Sequence, residues 1–188
     1  MDMYQLKWTR LQAKIFRLLC IRAGQSFNIR SLARLLKVSP TAVSKSLLEL
    51  KKEDSIKLEK SKTMNLISIE FNRDNDKLIN LKRVENLRML YESGLDKFLE
   101  NNFPACTIIL FGSYSKGEDI WFGETDDRSS DIDIAIIGTK GKEIDLTEFN
   151  KMLERVISIN FYKSWDNIHK YLKNNILNGI ILSGSVDL

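Results

Sequence analysis

The sequence of 188 residues contains very little cysteine and histidine, only Cys20, Cys106 and His169. This excludes a zinc site built from Cys and His ligands and a framework of disulfides. No apolar run approaches the ~20 residues that cross a bilayer, and the first residues lack the pattern of a signal peptide. We therefore expect a cytoplasmic protein with two free thiols and no membrane partner.

The net charge is only +4, but acidic residues are scarce in the first third of the chain and outnumber basic residues in the last part. Residues 1–62 carry 14 Lys and Arg against 5 Asp and Glu, whereas residues 104–188 carry 9 against 13. A basic first third suits a polyanionic partner, and an acidic last part suits a metal ion. The asymmetry predicts two modules with different partners.

Residues 1–72 show three amphipathic helical patterns followed by two β-prone runs. The helices are predicted over residues 5–23, 28–37 and from Ser39-Pro40 to about Lys52, and the strands over 55–59 and 65–71. Ser39 suits an N-cap and Pro40 suits the first helical position. This pattern resembles a winged helix-turn-helix domain, and the resemblance implies binding to duplex DNA and a role in transcription regulation.

The third predicted helix would then enter the major groove, with short polar and basic residues at its N-terminal end near base edges. Basic residues on the second helix and on the hairpin would lie over phosphates. The candidate DNA-binding residues are Arg30, Arg34, Thr41, Ser44, Lys45, Lys57, Lys60 and Lys62. The alternative is a winged helix that contacts protein, with its lysines merely solvated.

Residues 73–103 are predicted as a linking helix, because apolar residues recur at helical spacing until Pro104. Its stripe comprises Leu78, Leu81, Val84, Leu87, Leu90 or Tyr91, Leu95, Phe98 and Leu99. Such a helix can pack on the module that follows it or pair with its copy in a homodimer. The pattern favours packing at its C-terminal half and leaves dimerisation open.

Residues 104–188 contain the most informative motif, Leu110 to Gly117 followed by Ser130 to Ile137. The first stretch ends an apolar run with Gly112-Ser113, a turn that allows backbone to approach phosphate. The second places Asp131 and Asp133 two residues apart on a strand, so both carboxylates point to one side. Two adjacent carboxylates repel unless a divalent cation lies between them. The combination predicts a site for a nucleoside triphosphate and Mg²⁺.

The pairing of Gly112-Ser113 with Asp131-Ile-Asp133 resembles the signature of the DNA polymerase beta-type nucleotidyltransferase superfamily, and within it the minimal nucleotidyltransferases, over residues 104–182. The resemblance implies an α+β fold, a mixed sheet covered by helices. It implies that Asp131 and Asp133 are catalytic metal ligands of a two-metal Mg²⁺ site, and that Gly112, Ser113 and Lys116 bind nucleotide. It also implies transfer of a nucleoside monophosphate, with a toxin-like partner protein favoured as acceptor over tRNA.

Two departures from that signature bear on activity. Residues 118–130 enlarge the spacing between the two motifs, and a solvated surface loop is the default expectation for them, with a lid or a subunit contact as the alternatives. The later strand offers Ser158 and Asn160 where active members carry a third carboxylate. Asp126, Asp127 or Glu154 are the remaining candidates for that ligand. The alternative function is therefore a transcriptional regulator whose nucleotidyltransferase domain has lost catalysis and serves nucleotide sensing or dimerisation.

Overall fold

The computed structural model describes residues 8–60, 67–123 and 129–187, with the side chain of Lys60 left out. Contacts between residues divide the chain into two compact units, Met1–Leu78 and Ile79–Leu188. Most of the predicted linking segment, residues 73–103, is grouped with the second unit.

The first unit contains three helices, α1 (Arg10–Ile21), α2 (Ile29–Leu36) and α3 (Pro40–Lys52), followed by an antiparallel hairpin of β1 (Ile56–Lys60) and β2 (Ile67–Phe71). This is the arrangement of a winged helix. α1 begins at Arg10, because Thr9 caps it in a reciprocal capping box with Gln12, while the start predicted at residue 5 lies outside the described residues. The two residues predicted to start α3 do so, with the Ser39 hydroxyl accepting from the amide of Ala42 at 3.2 Å and Pro40 as the first helical residue.

Apolar side chains from all five elements close the core of the first unit. Phe27 bridges Ile69, so the hairpin is tied to the start of α2 by two backbone hydrogen bonds of 2.9 and 2.7 Å. The fully buried members, with no exposed surface, are Ile15, Leu19, Cys20, Ala23, Leu32, Val43, Leu50 and Ile69.

The predicted linking helix is two helices, α4 (Asp76–Ser93) and α5 (Leu95–Asn102), because Gly94 lies between them with a left-handed φ of 77°. The predicted apolar stripe is also rotated on α4. Val84 is 62% exposed, whereas Lys82 and Asn86 are buried together with Leu78 and Leu90. Lys82 and Asn86 thus occupy the buried face of α4 where apolar residues were predicted.

The second unit holds a four-stranded sheet in the order β5-β4-β3-β6. β3 (Thr107–Phe111) runs antiparallel to both β4 (Ile132–Ile137) and β6 (Ile180–Ser183), and β5 (Ile157–Tyr162) runs parallel to β4. Three further helices, α6 (Gly112–Lys116), α7 (Thr147–Leu153) and α8 (Lys170–Leu177), complete the unit with one 3₁₀ turn at Trp165–Asn167. The unit is therefore α+β, with the sheet in its centre.

Alternation along the strands gives the sheet two buried faces. One face packs against the segment that contains the 3₁₀ turn and α8, in a cluster of Ile109, Phe111, Ala135, Ile137, Ile168 and Ile176. Asp133 and Ser158 belong to this face, because they are in register with each other and with Phe111. They lie at the end of the sheet where β3 finishes and where β4 and β5 begin.

Candidate functional site

The two halves of the Gly-Ser and Asp-x-Asp motif meet at one end of the sheet. β3 ends at Phe111, which is paired with Asp133 on β4, and the chain turns there into α6 through Gly112. Asp131 stands one residue before β4 and is exposed, while Asp133 is half-buried. The antiparallel register of the two strands thus brings a turn and a carboxylate pair together although they are separated in sequence.

Gly112 lies directly against the carboxylate of Asp133. A Cβ atom added at Gly112 would overlap the Asp133 Oδ2 atom, and the φ of 74° at Gly112 is one that residues with a side chain rarely adopt. A side chain at this position would therefore displace the Asp133 carboxylate, and the backbone conformation favours glycine. The result is a stretch of backbone without a side chain next to a carboxylate.

Burial raises the pKa of Asp133, and the charge of Asp131 raises it further. The second cause shows that the two carboxylates act on each other electrostatically, as expected for side chains two residues apart on a strand. A divalent cation placed between them would remove the repulsion and favour the ionised form of both. The pair therefore has the electrostatic character of a cation site.

The remaining predicted nucleotide-binding residues lie on α6, which has only five residues. Ser113 is half-buried in its first turn, and Lys116 is exposed in its last turn. A helix this short adds little dipole, so the turn contributes through the individual amides at its start rather than through a macrodipole. The Ser115 hydroxyl donates to the carbonyl of Gly112 at 2.8 Å and holds the turn closed.

No third carboxylate accompanies the pair within the described part of the chain. Ser158 on β5 is in register with Asp133, and Asn160 is in register with Ala135. Among the described residues, no three Asp, Glu, His or Cys side chains are grouped so that they could hold a metal ion. Glu154 follows α7 as its left-handed cap residue. Asp126 and Asp127, the other two candidates, lie outside the described residues.

The enlarged segment between the two motifs was expected to be a solvated loop, but its described ends are partly buried. Trp121 is 7% exposed, and the side chain of Asp119 is fully buried. Asp119 forms ion pairs with Lys82 and with Arg155, and Asn86 donates to it at 2.7 Å. Sequence reasoning missed these residues, because no local pattern indicates that Asp119 forms an ion pair with Lys82.

In the first unit, the predicted DNA-reading residues Thr41, Ser44 and Lys45 all lie on the exposed face of α3. The opposite face of the helix is buried through Val43, Leu47 and Leu50, together with Ser46. The packing of α3 therefore leaves its polar N-terminal half accessible.

The candidate phosphate-binding residues fall into three groups. Arg30 and Arg34 are exposed on α2. Lys57 forms an ion pair with Asp74, so its charge is partly neutralised within the unit. Lys60 ends β1, and Lys62 lies outside the described residues.

No protein-family model and no curated protein matches the chain. Similar solved structures include the adhesin competence repressor AdcR of Streptococcus pyogenes, with 21% identity over 55% of this chain and 72% of that chain and a TM-score of 0.42. They also include ZitR of Lactococcus lactis, a zinc-responsive MarR family member, with 20% identity over 55% and 69% and a TM-score of 0.40. A ZitR mutant in complex with DNA is similar at 22% identity over 55% and 68%, with a TM-score of 0.39. Likenesses this distant assign neither a family nor a function to the chain.

None of the helices in residues 8–60, 67–123 and 129–187 is both long and apolar enough to span a membrane.

Proposed function

We propose that the chain is a DNA-binding protein whose second unit binds a nucleoside triphosphate together with Mg²⁺. One observation carries the nucleotide half of the proposal, the contact of the Gly112 backbone with the Asp133 carboxylate. That contact joins a turn without side-chain bulk to a pair of carboxylates on a neighbouring strand. A phosphate group binds to the exposed amides of such a turn, and its accompanying cation binds to carboxylates.

The chemistry of binding follows from the residues at that end of the sheet. Asp131 and Asp133 would supply hard oxygen ligands to Mg²⁺, which binds one or two protein carboxylates and takes its other ligands from phosphates and water. The amides that follow Gly112 and the hydroxyl of Ser113 would donate to phosphate oxygens. Lys116, exposed at the end of α6, would add positive charge near the phosphates.

Nucleotide sensing is favoured over rapid nucleotidyl transfer by the residue in register with Asp133. A nucleophile held for in-line attack needs a cation of its own, and a cation needs negative ligands. Ser158 occupies that register position and brings none. We propose nucleotide binding as the main role of the site, with slow or absent transfer. Transfer to a toxin-like protein stays a prediction. Formation of a homodimer also stays a prediction.

The DNA half of the proposal is supported by α3 and by charge. Thr41, Ser44 and Lys45 are exposed on a helix that follows a tight turn, which is the geometry by which such helices enter the major groove. The excess of basic residues over residues 1–62 supplies the attraction to phosphate that makes up most non-specific binding. Occupancy of the nucleotide site would then regulate a DNA-bound protein.

Calorimetry of the full chain with ATP, GTP, CTP and UTP, each with Mg²⁺ and again with EDTA, tests the nucleotide half. We expect binding that depends on Mg²⁺ and is abolished in the double variant Asp131→Asn with Asp133→Asn, which removes both charges at almost constant volume. Unchanged Mg²⁺-dependent affinity in the double variant would contradict the site. Fluorescence anisotropy with duplex DNA tests the other half, and binding that does not respond to salt would contradict it.

A further inference from the structure

Asp119 has the most buried carboxylate of those described around the candidate site, with 0% of its side chain exposed. Both of its oxygens are used. Oδ1 accepts from the Nζ of Lys82 and from the Nδ2 of Asn86 at 2.7 Å, and Oδ2 accepts from the Nη2 of Arg155 at 3.0 Å. The side chains of Lys82 and Arg155 are themselves 0% and 2% exposed.

Burying the three charges of Lys82, Asp119 and Arg155 together carries a large desolvation penalty. Desolvation of each ion is repaid only when its hydrogen bonds are made in good geometry, and apolar residues of the same volume often serve stability as well or better. Stability alone is therefore a weak explanation for the cluster of Lys82, Asn86, Asp119 and Arg155. The hydrogen bonds of Asp119 fix the positions of Lys82, Asn86 and Arg155 relative to one another.

The cluster joins segments that surround the candidate site. Lys82 and Asn86 belong to α4, and Arg155 stands between α7 and β5. Asn86 also donates from Nδ2 to the carbonyl of Tyr114 on α6 at 2.9 Å, and the Tyr114 hydroxyl donates to the carbonyl of Asn86 at 3.3 Å. The short helix after the Gly-Ser turn is thus fastened to the same group of side chains.

Asp131 is held on both sides by neighbours of the cluster. On its N-terminal side, Ser130 makes two hydrogen bonds with Ile120, which follows Asp119. The Ile120 amide donates to Ser130 Oγ at 3.1 Å, and the Ser130 amide donates to the Ile120 carbonyl at 2.9 Å. On its C-terminal side, the Ile132 amide donates at 2.8 Å to the carbonyl of Val156, which follows Arg155.

We infer that Asp119 is a positioning residue for the cation and nucleotide site. By pairing with Lys82 and Arg155, it fixes Ile120 and Val156, and these fix the backbone on either side of Asp131. The distance between the two site carboxylates is set in this way, although Asp119 does not contact either. The inference rests on the proposed function for its consequence in binding, but its structural part can be measured without a ligand.

Two variants of the full chain test it. Asp119→Asn keeps the shape of the side chain and removes the charge that pairs with Lys82 and Arg155. Ser130→Ala leaves the buried cluster intact and removes the hydroxyl that accepts from Ile120, so it tests the same connection without a buried unpaired charge. Asp145→Asn is the matched control, because Asp145 is an exposed carboxylate of the same unit that caps the amide of Thr147, which asparagine also does.

The first readout is amide hydrogen exchange by NMR without nucleotide. We expect exchange to become at least about tenfold faster at the amides of residues 130 and 132 in Asp119→Asn, and at those of residues 120 and 130 in Ser130→Ala, with no change at Ile136 in the middle of β4. The control should match the wild type at all four amides. Unchanged exchange at the amide of residue 130 in both variants, or an equal rise at Ile136, would overturn the inference, since the second result describes stability alone.

The second readout is the affinity for Mn²⁺ with ATP, followed by electron paramagnetic resonance. Substituting residues that position the metal ligands typically lowers metal affinity by about 10–100-fold. We therefore expect a loss in that range for Asp119→Asn and a smaller loss for Ser130→Ala. If Asp119→Asn does not fold, Ser130→Ala decides the question with both readouts. If the wild type binds no Mn²⁺ with ATP, the proposed function is wrong, and the exchange data still decide whether Asp119 positions Asp131.

Discussion

The backbone of Gly112 lies against the carboxylate of Asp133, with no room for even a methyl group between them. Phe111, the residue before Gly112, is paired with Asp133 in the antiparallel ladder, so the approach is built into the register of β3 and β4. Moving the register by one residue would turn Asp133 to the other face of the sheet. The Gly112-Ser113 turn and the carboxylate of Asp133 are therefore positioned by one and the same strand pairing.

Gly112→Ala should damage binding far more than its effect on backbone strain explains. Gly94→Ala is the matched control, because Gly94 has nearly the same φ, 77° against 74°, and nothing within 4 Å of an added Cβ. Left-handed strain alone costs about 1–2 kcal/mol, and we expect that loss of stability for Gly94→Ala with unchanged Mg-ATP affinity. Gly112→Ala should be less stable than this and lose Mg-ATP binding in calorimetry. Equal affinities in the two variants would show that Asp133 does not hold the cation.

The raised pKa of Asp133 predicts how stability depends on pH. A carboxyl whose pKa is higher in the folded than in the unfolded state keeps its proton longer in the fold, so stability falls as pH rises from the ordinary aspartate pKa through the raised one. In EDTA at pH 7, Asp133→Asn should therefore have a higher Tm than the wild type, and the difference should vanish below the ordinary aspartate pKa.

Mg-ATP should reverse that order of stability. A ligand at 100 times its Kd stabilises the native state by about 2.7 kcal/mol, and only the wild type is expected to gain this. Thermal unfolding at several pH values, with EDTA and with Mg-ATP, measures both effects. A wild type that is more stable than Asp133→Asn in EDTA at pH 7 would contradict the prediction.

Ser158→Asp should strengthen cation binding more than Asn160→Asp. The sequence alone offers both positions and favours Asn160→Asp as the change that raises turnover, whereas the parallel register puts Ser158 opposite Asp133 and Asn160 opposite Ala135. Two residues along a strand displace a side chain by roughly 6–7 Å, so an aspartate at 160 is the matched control with the same charge at a greater distance. Titration with Mn²⁺ and incorporation of labelled nucleotide measure the two gains. A larger gain from Asn160→Asp would contradict the assignment of position 158.

Lys45→Ala should weaken DNA binding and change its dependence on salt. Each phosphate that is neutralised contributes about −0.9 to the slope of log affinity against log salt, so loss of one contact should flatten the slope by about one unit. Lys52→Ala is the control on the same helix, because Lys52 already pairs with Glu49 at 2.7 Å at the far end of α3. Anisotropy titrations at several salt concentrations give both slopes. Equal slopes for the two variants would argue against insertion of the N-terminal half of α3.

Local patterns in the sequence predicted much of the secondary structure. Ser39 and Pro40 start α3 as expected, because capping and a fixed φ act within one turn of helix. The Asp-x-Asp strand and the Gly-Ser turn could also be predicted locally, since the Gly-Ser turn follows the apolar run of β3 and the Asp-x-Asp motif opens that of β4. The meeting of the two motifs follows from strand pairing, which a resemblance to a known signature suggested and local chemistry could not.

The buried face of α4 shows where sequence reasoning fails. Periodicity placed Val84 on the apolar stripe and left Lys82 off it, but Val84 is exposed and Lys82 is buried. A lysine is buried when it has a partner, and the partner, Asp119, belongs to a distant segment that was expected to be solvated. Hydropathy scores each residue alone, so it cannot detect a charge that is neutralised by another. The break at Gly94 was missed because the apolar spacing continues across it.

The sheet order also determines when each unit can fold during synthesis. β3 is flanked by β4 and by β6, and β6 (Ile180–Ser183) is synthesised after both of them. Until Ile180 emerges, one side of β3 lacks its neighbour, and an open apolar strand of this kind can pair with other chains. The helices and hairpin of the first unit join segments that are near one another in sequence, so that unit can form earlier. The first unit can therefore fold while the second unit still lacks the strand that completes the pairing of β3.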